Sequence, residues 1–425
     1  MEFVGLIFFI ILIYWRPQDF IPIVQNLRLV FIVMVPTYFL WGLNILKTKS
    51  FSRLLVFPLD FCIVGLFFSI VISTYNVHWL RYTYNLFVGF GKILLFFILI
   101  ATTITNIFRL KICFYLLSFL TFLIAGVALL QLYNINLFGV GMVEGRIQGI
   151  GIYHNPNYLA YSVIMVFPIQ FFLFNETKYL PVKIIHFIVL IISFICVFFT
   201  KSRGGILCLV GTTVFLLIRN KRPFMKYLLL FAGVVIFIFL RIGPRFDVLG
   251  RSDGSIQARI DAWYSGLEML KEHPFIGVGI GMFNYYHKEK TSHSSFVHVG
   301  SETGLIGLFF WISMLYFSIK LLYAIYSKDK YKQIALALEG SIVSYILASF
   351  FVTFPYRIIV FMLCGFISAL LRIDLLEGMQ TVPDKEKIKM SLFNRISFSY
   401  RDIVNILIIE SSILFIWHLV IRFRW

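Results

Sequence analysis

Apolar runs, most of them near the length of a bilayer crossing, fill this chain and are separated by short polar punctuation. They fall at 3–15, 29–46, 55–73, 87–107, 112–132, 157–175, 181–199, 204–218, 226–241, 302–325, 333–353 and 357–372. Continuous runs of this kind predict membrane-spanning helices. A closed barrel would alternate apolar and polar positions instead. The predicted fold is an all-α polytopic membrane protein with about 12 (11–13) transmembrane helices. A further apolar run, 403–421, follows a polar tail and either spans the bilayer or lies in its interface. The first run is short and meets Arg16-Pro17, which suits a tilted helix or a thinned bilayer. The pattern divides the chain into an N-terminal transmembrane bundle (1–241), a large outer loop (242–301), C-terminal transmembrane helices (302–372) and a basic tail with a final apolar helix (373–425).

One stretch breaks the apolar pattern, from Arg251 to Gly307, where charged, polar and histidine residues crowd together. Within it, Ile256, Ile260, Trp263, Leu267 and Leu270 recur at steps of three and four, predicting an amphipathic helix over 256–271. Ser255 or Asp253 caps its start, and His273-Pro274 ends it. Gly277, Gly279 and Gly281 follow in a spacing that is not the dinucleotide fingerprint, with no strand before it. A tight, closely packed turn is the better reading.

Composition agrees with the pattern. The 425 residues are 60% hydrophobic and 14% charged, against about 25% charged in a soluble domain. The formal charge of +18 has no aromatic-interleaved basic run for reading bases, so nucleic acid is set aside. Lysines and arginines concentrate in alternate loops, among them Lys47, Lys49 and Arg53; Arg109 and Lys111; Arg219, Lys221 and Arg222; Lys328, Lys330 and Lys332. By the positive-inside rule those loops are cytoplasmic, the N-terminus is inside, and the 242–301 loop is outside. All five cysteines lie in apolar stretches with no C-x-x-C spacing, which argues against a disulfide or zinc framework. Residues 1–15 lack a basic leader and a small-residue cleavage site, and read as a retained span.

Candidate chemistry gathers on the outer side. Asn155-Pro156-Asn157 opens a span, either as a plain helix cap or as a polar rim. Lys201 and Arg203 sit in Thr200-Lys-Ser-Arg-Gly-Gly205 at the start of another. A snorkelling cation is the bland reading. Two glycines after Arg203 would otherwise let a phosphate reach bare helix amides. Arg259 and Trp263, four apart, share a helix face and either stack or clamp a diphosphate. His293 and His298 precede a span, with Glu302 four residues beyond His298. A neutral imidazole is suited to taking a proton from a sugar hydroxyl.

Taken in order, Asn155-Pro-Asn157, Ser202-Arg-Gly-Gly205, Arg259-Ile-Asp-Ala-Trp263, His273-Pro-Phe-Ile-Gly-Val-Gly-Ile-Gly281, and His293 with Glu302-Thr-Gly-Leu-Ile-Gly307 resemble the O-antigen ligase and Wzy-type polysaccharide polymerase superfamily. Arg16-Pro-Gln-Asp19 is similar to some members. The resemblance implies a GT-C-like helical fold and a metal-independent, inverting glycosyltransferase without a cofactor. The donor would be an undecaprenyl-diphosphate-linked glycan, and the acceptor a glycan, lipid or protein hydroxyl. The implied place is the outer face of the bacterial cytoplasmic membrane, beside a flippase and the glycosyltransferases of one pathway. It makes His293 and Glu302 catalytic. Arg203 and Arg259 would hold the diphosphate, with Lys201, Asn155, Asn157, Trp263 and His298 binding substrate. Ser294 and Lys201 depart from the usual asparagine and glycine, which bears on the acceptor class. Ligase and polymerase both remain open. The rival class is a secondary transporter or flippase, for which Lys92, Glu339 and Glu410 are the charges inside or near spans.

Overall fold

Residues 1–25, 27–48, 55–77, 80–220, 254–287, 291–327, 329–380 and 398–422 are described by a computed structural model. Helices dominate: α1 (Glu2–Tyr14), α2 (Leu29–Thr48), α3 (Leu59–Ser73), α4 (Leu80–Thr103), α5 (Ile107–Leu130), α6 (Pro156–Glu176), α7 (Leu180–Phe199) and α8 (Arg203–Asn220). They continue as α9 (Gly254–Glu272), α10 (Met282–Tyr286), α11 (Ser295–Tyr326), α12 (Lys332–Ser349), α13 (Ile358–Gln380) and α14 (Tyr400–Arg422). Among the described residues, 10 helices are long and apolar enough to cross a membrane: α2 to α8, α11, α13 and α14. The protein is an all-α, multi-pass membrane protein.

The difference from about twelve spans has physical causes. The run at 3–15 is helical, but α1 has only 13 residues. The run at 333–353 forms α12, whose apolar character is diluted by Gln333, Glu339 and its serines. The expected span 226–241 and the cap Asp253 lie outside the described residues. The run at 403–421 proves long enough to span: α14 lies along α11, with Asp402 on Lys320 at 2.7 Å near one end. At its other end Trp417 Nε1 donates to the Trp263 carbonyl at 2.7 Å.

Burial sorts the helices. The spans in α6 and α13 are each 83% buried, whereas α2 and α14 are 11% and 17% buried. Those outer helices therefore face lipid. Leu407, Ile408, Phe415 and Ile416 on α14 are exposed, as are Ile184, Ile185, Phe187 and Ile188 on α7. In water such surfaces would associate; in hydrocarbon they are the wall. Away from the start of α11, buried ion pairs fasten helices together: Arg372 to Asp60 at 2.8 Å, and Arg219 to Glu339 at 3.0 Å. Ser368 adds a 3.0 Å bond to Asp60.

The glycine-rich segment expected as a close-packed turn meets α11 where that helix is broken. Gly304 has φ 64° and ψ −167°, a conformation essentially confined to glycine. The amides of Leu305 and Ile306, which a regular helix would aim at Ser301 and Glu302, donate instead to Pro274 and Phe275, at 2.8 and 3.3 Å. The released Ser301 and Glu302 carbonyls accept from Val278 and Gly279, both at 2.9 Å. The loop thus supplies partners for the helix groups that the break frees. A side chain at Gly277 would collide with the Glu302 backbone, and one at Gly304 with Phe275. The helix starts at Ser295, so the expected boundary at 301/302 falls inside it, and α13 runs to Gln380, beyond 372.

Candidate active site

The starts of α6, α8 and α11 lie at one end of the bundle, and the loops before them carry most of the residues singled out from sequence. His293 is the clearest of them. Its neighbours Ser292, Ser294 and Ser295 are 0–1% exposed, while His293 itself is exposed. Its φ is 52°, left-handed for a residue with a side chain. Such strain costs about 1–3 kcal/mol and persists only where surroundings hold it. Here three serines do so. Ser292 Oγ donates to the Ser294 carbonyl at 2.7 Å and lies 3.1 Å from Thr353 Oγ1. Ser295 Oγ donates to the Val352 carbonyl at 2.8 Å and accepts from the Phe354 amide at 2.9 Å. Trp263 Nε1 donates to the Ser292 carbonyl at 3.2 Å. Trp263 thus anchors the histidine loop to α9, and α14 anchors Trp263.

Partial burial among the packed serines lowers the His293 pKa from its ordinary 6.5, and the neighbouring Arg259 and His287 lower it further. The imidazole is therefore neutral, with a lone pair to accept a proton, at neutral pH. Arg259 and His293 are brought together as expected. His287, whose Nδ1 lies 2.9 Å from Ser265 Oγ, joins them without having been singled out. It directly follows the five-residue helix α10, too short to carry a periodicity that would flag it.

The second half is built from the loops before α6 and α8. Asn155 Oδ1 caps α6 by accepting from the Asn157 amide at 2.8 Å, so its side chain serves as the plain cap. Asn157 Oδ1 accepts from Arg146 at 2.8 Å, and Arg146 Nε donates to the Thr200 carbonyl at 2.8 Å. Arg146 thereby ties the α6 and α8 loops together, from a position that no sequence motif marks. Lys201 and Arg203 are exposed, Lys201 with a left-handed φ of 49°. The expectation that Gly204 and Gly205 bare helix amides for a ligand is corrected. The Tyr161 hydroxyl and Phe351 fill the space at Gly204, and Ala160 and Ser202 fill it at Gly205. The glycines let α8 approach α6. Tyr161, buried in an apolar run that hid it, hydrogen-bonds Ser202 and feels the charges of both Arg259 and Arg146. It lies where the two halves meet.

Glu302 and His298 are placed differently from the expectation. Glu302 is 0% exposed. Its Oε1 lies 3.2 Å from His298 Nε2 and accepts from the Phe283 amide at 3.3 Å. His298 packs against the rings of Phe283 and Tyr356. On a helix, steps of four share a face, and this face turns inward beneath the 273–283 loop. The pair props the broken helix rather than facing the space beside His293.

Comparison with known proteins bears on the same segment. Residues 188–312, which include Arg203, Arg259 and His293, match the model of a family described as O-antigen ligase. A curated O-antigen polymerase from Salmonella muenchen is 26% identical over 170 residues, covering 34% of this chain and 41% of the relative. The chain thus spans less than half the length of that relative. Both findings support the O-antigen ligase and Wzy-type polymerase superfamily.

Proposed function

We propose, from that superfamily as premise, that the protein transfers a glycan from an undecaprenyl-diphosphate carrier to an acceptor hydroxyl at the outer face of the bacterial cytoplasmic membrane. The observation that carries the reading is His293: an exposed imidazole, neutral at working pH, locked in a strained backbone by buried neighbours and set beside Arg259. Loops are where chemistry sits when a rigid scaffold positions them.

In the proposed step the acceptor oxygen attacks the anomeric carbon as its proton passes to the His293 imidazole. The carbon–oxygen bond to the diphosphate breaks, its electron pair leaves with the diphosphate, and the anomeric centre inverts. Arg259, with Arg203 and Lys201 from the α8 side, stabilises the charge growing on the leaving group. Preorganised donors of this kind are worth about 10²–10³ in rate each, and a positioned base about 10²–10⁴. Glu302 and His298 act as structural supports of α11. Asn157 acts through Arg146, and Trp263 through the Ser292 carbonyl, as positioning residues. A ligase moving preformed glycan is the first reading. A polymerase is the second, favoured by the description of the Salmonella relative.

The test is transfer in membranes from a lipid-diphosphate glycan donor. His293→Ala should lose about 10²-fold or more, and Arg259→Gln about as much as one lost donor. Wild-type rates in His293→Ala would defeat the reading. Product sizing separates its two forms, since a polymerase yields a ladder of lengths.

A further inference from the structure

The loop between α5 and α6 carries an exposed apolar surface that the candidate site does not use. Tyr133, Ile135, Leu137, Phe138, Met142 and Val143 are all exposed. No charged residue stands between Gln131 and Glu144. In water such a patch would associate with something. The loop is not slack. Gln131 and Gln148, both buried, lock its two ends together. Gln131 Nε2 donates to the Gln148 carbonyl at 2.6 Å, and the Gln148 amide donates back to Gln131 Oε1 at 3.2 Å. Gln148 Nε2 reaches into the loop and donates to the Gly141 carbonyl at 2.9 Å. At the crest, Phe138 takes a left-handed φ of 59° and sets its ring 4.3 Å from that of Phe20. Phe20 meets Trp15 edge-on at 5.4 Å, at the end of α1.

The depth of the loop follows from its anchors. The spanning segment before it runs Ile107–Tyr133, so the loop leaves the span at Tyr133. It returns level with the end of α7, where the Ile147 amide donates to the Phe199 carbonyl at 3.4 Å. In between it is held sideways against the end of α1. The crest therefore stays at the level where α1, α5 and α7 end, instead of rising into water. Aromatic rings gather at that level, Trp15, Phe20, Tyr133 and Phe138, as they do at a bilayer interface. The exposed amides of Asn134 and Asn136 between them suit the headgroup layer. We infer that this loop lies in the membrane interface on the His293 side, its apolar crest among the upper acyl chains, and so holds Lys201 at the depth of lipid phosphates. Beyond Val143 the same loop turns over that lysine. Val143 and Arg146 exchange backbone hydrogen bonds at 3.0 Å, and a side chain at Gly145 would come within 3.5 Å of Lys201 Nζ. The contact with lipid stands without the proposed function. Its consequence, that the diphosphate of a lipid-linked donor arrives level with Lys201, rests on that function.

The test reads depth by fluorescence quenching of the full chain in nanodiscs of phosphatidylcholine and phosphatidylglycerol. The five native cysteines are buried and stay unlabelled. Leu137→Cys, Phe138→Cys and Val143→Cys are each labelled with an environment-sensitive dye. Each should lose most of its emission to lipid carrying a nitroxide high on its acyl chain, and little to aqueous iodide. Three positions keep the result independent of the folding of any one variant. Strong iodide quenching without nitroxide quenching would place the loop in water and overturn the inference. Protection from both quenchers would mean that a second copy or another protein covers the crest, and would overturn it as well. Leu137→Asp/Phe138→Asp should lift the loop, seen as lost nitroxide quenching at a dye on Val143→Cys. The same pair should raise the KM for a lipid-linked donor and leave kcat unchanged. An unchanged KM would overturn the consequence drawn for Lys201. Nitroxide quenching in a chain that transfers no glycan would sink the proposed function and leave the membrane contact standing.

Discussion

His293 shows how one residue's chemistry is set by its surroundings. Partial burial, the Arg259 guanidinium and the nearby His287 favour the neutral imidazole and lower its pKa from 6.5. A base works only above its pKa, so the acidic limb of the transfer rate should lie below pH 6.5. Arg259→Gln removes the neighbouring guanidinium, leaves the desolvation in place, and should move the limb upward toward the ordinary value. The measurement is the pH dependence of the residual rate in Arg259→Gln against wild type; a limb that moves downward would contradict the geometry. At this scale sequence singled out Arg259 and His293 because polar residues crowd together in one stretch of an otherwise apolar chain. It missed Tyr161 and Arg146, since a tyrosine in an apolar run and a cation in a loop carry no periodic signal. For Glu302, a spacing of four tells which residues share a face, here with His298 at 3.2 Å, and not which way the face turns.

Among elements, α11 with its 273–281 loop is the most demanding piece of backbone. The break at Gly304 sacrifices two helix hydrogen bonds and regains four from the loop. Gly304→Ala places a side chain in a glycine-only conformation, at about 1–3 kcal/mol, and drives it into the Phe275 backbone. The expected outcome is a lower thermal midpoint in detergent and weaker folding yield, with activity lost alongside. Unchanged melting would mean the break is not held as described. The three glycines at 277, 279 and 281 were legible as a tight turn. That they exist to receive another helix's carbonyls was not, because the partner lies more than twenty residues on.

For the whole molecule, the apolar belt and the buried ion pairs set the terms. Asp60 is 1% exposed and pairs with Arg372. Asp60→Asn leaves Arg372 buried without its counter-charge, and should destabilise by about 3–5 kcal/mol. Asp60→Leu/Arg372→Met should recover most of that, since an apolar pair needs no hydration. Thermal unfolding of both variants measures it; equal losses would mean the charge itself is not the cause. The transporter reading weakens at this scale too. Glu339, one of its charges, is bound to Arg219, and Lys92 lines a cavity beside the histidine loop instead of a path through the bundle.

The amino-acid order by itself determined the solvent. Runs of apolar residues near bilayer length have no other stable home, so helices, their approximate number and a polar segment set apart from the spans were all readable without coordinates. It also marked where chemistry was affordable, because charge in such a chain is expensive and its retention is informative. Only the tertiary structure decided which of those polar groups face a common space. Direction in three dimensions comes from packing: serines that pin His293 outward, a loop that turns Glu302 inward, and glycines that serve helix contact where a ligand had been expected. Pairings between residues distant in the chain depend on every intervening turn, and no local pattern encodes them.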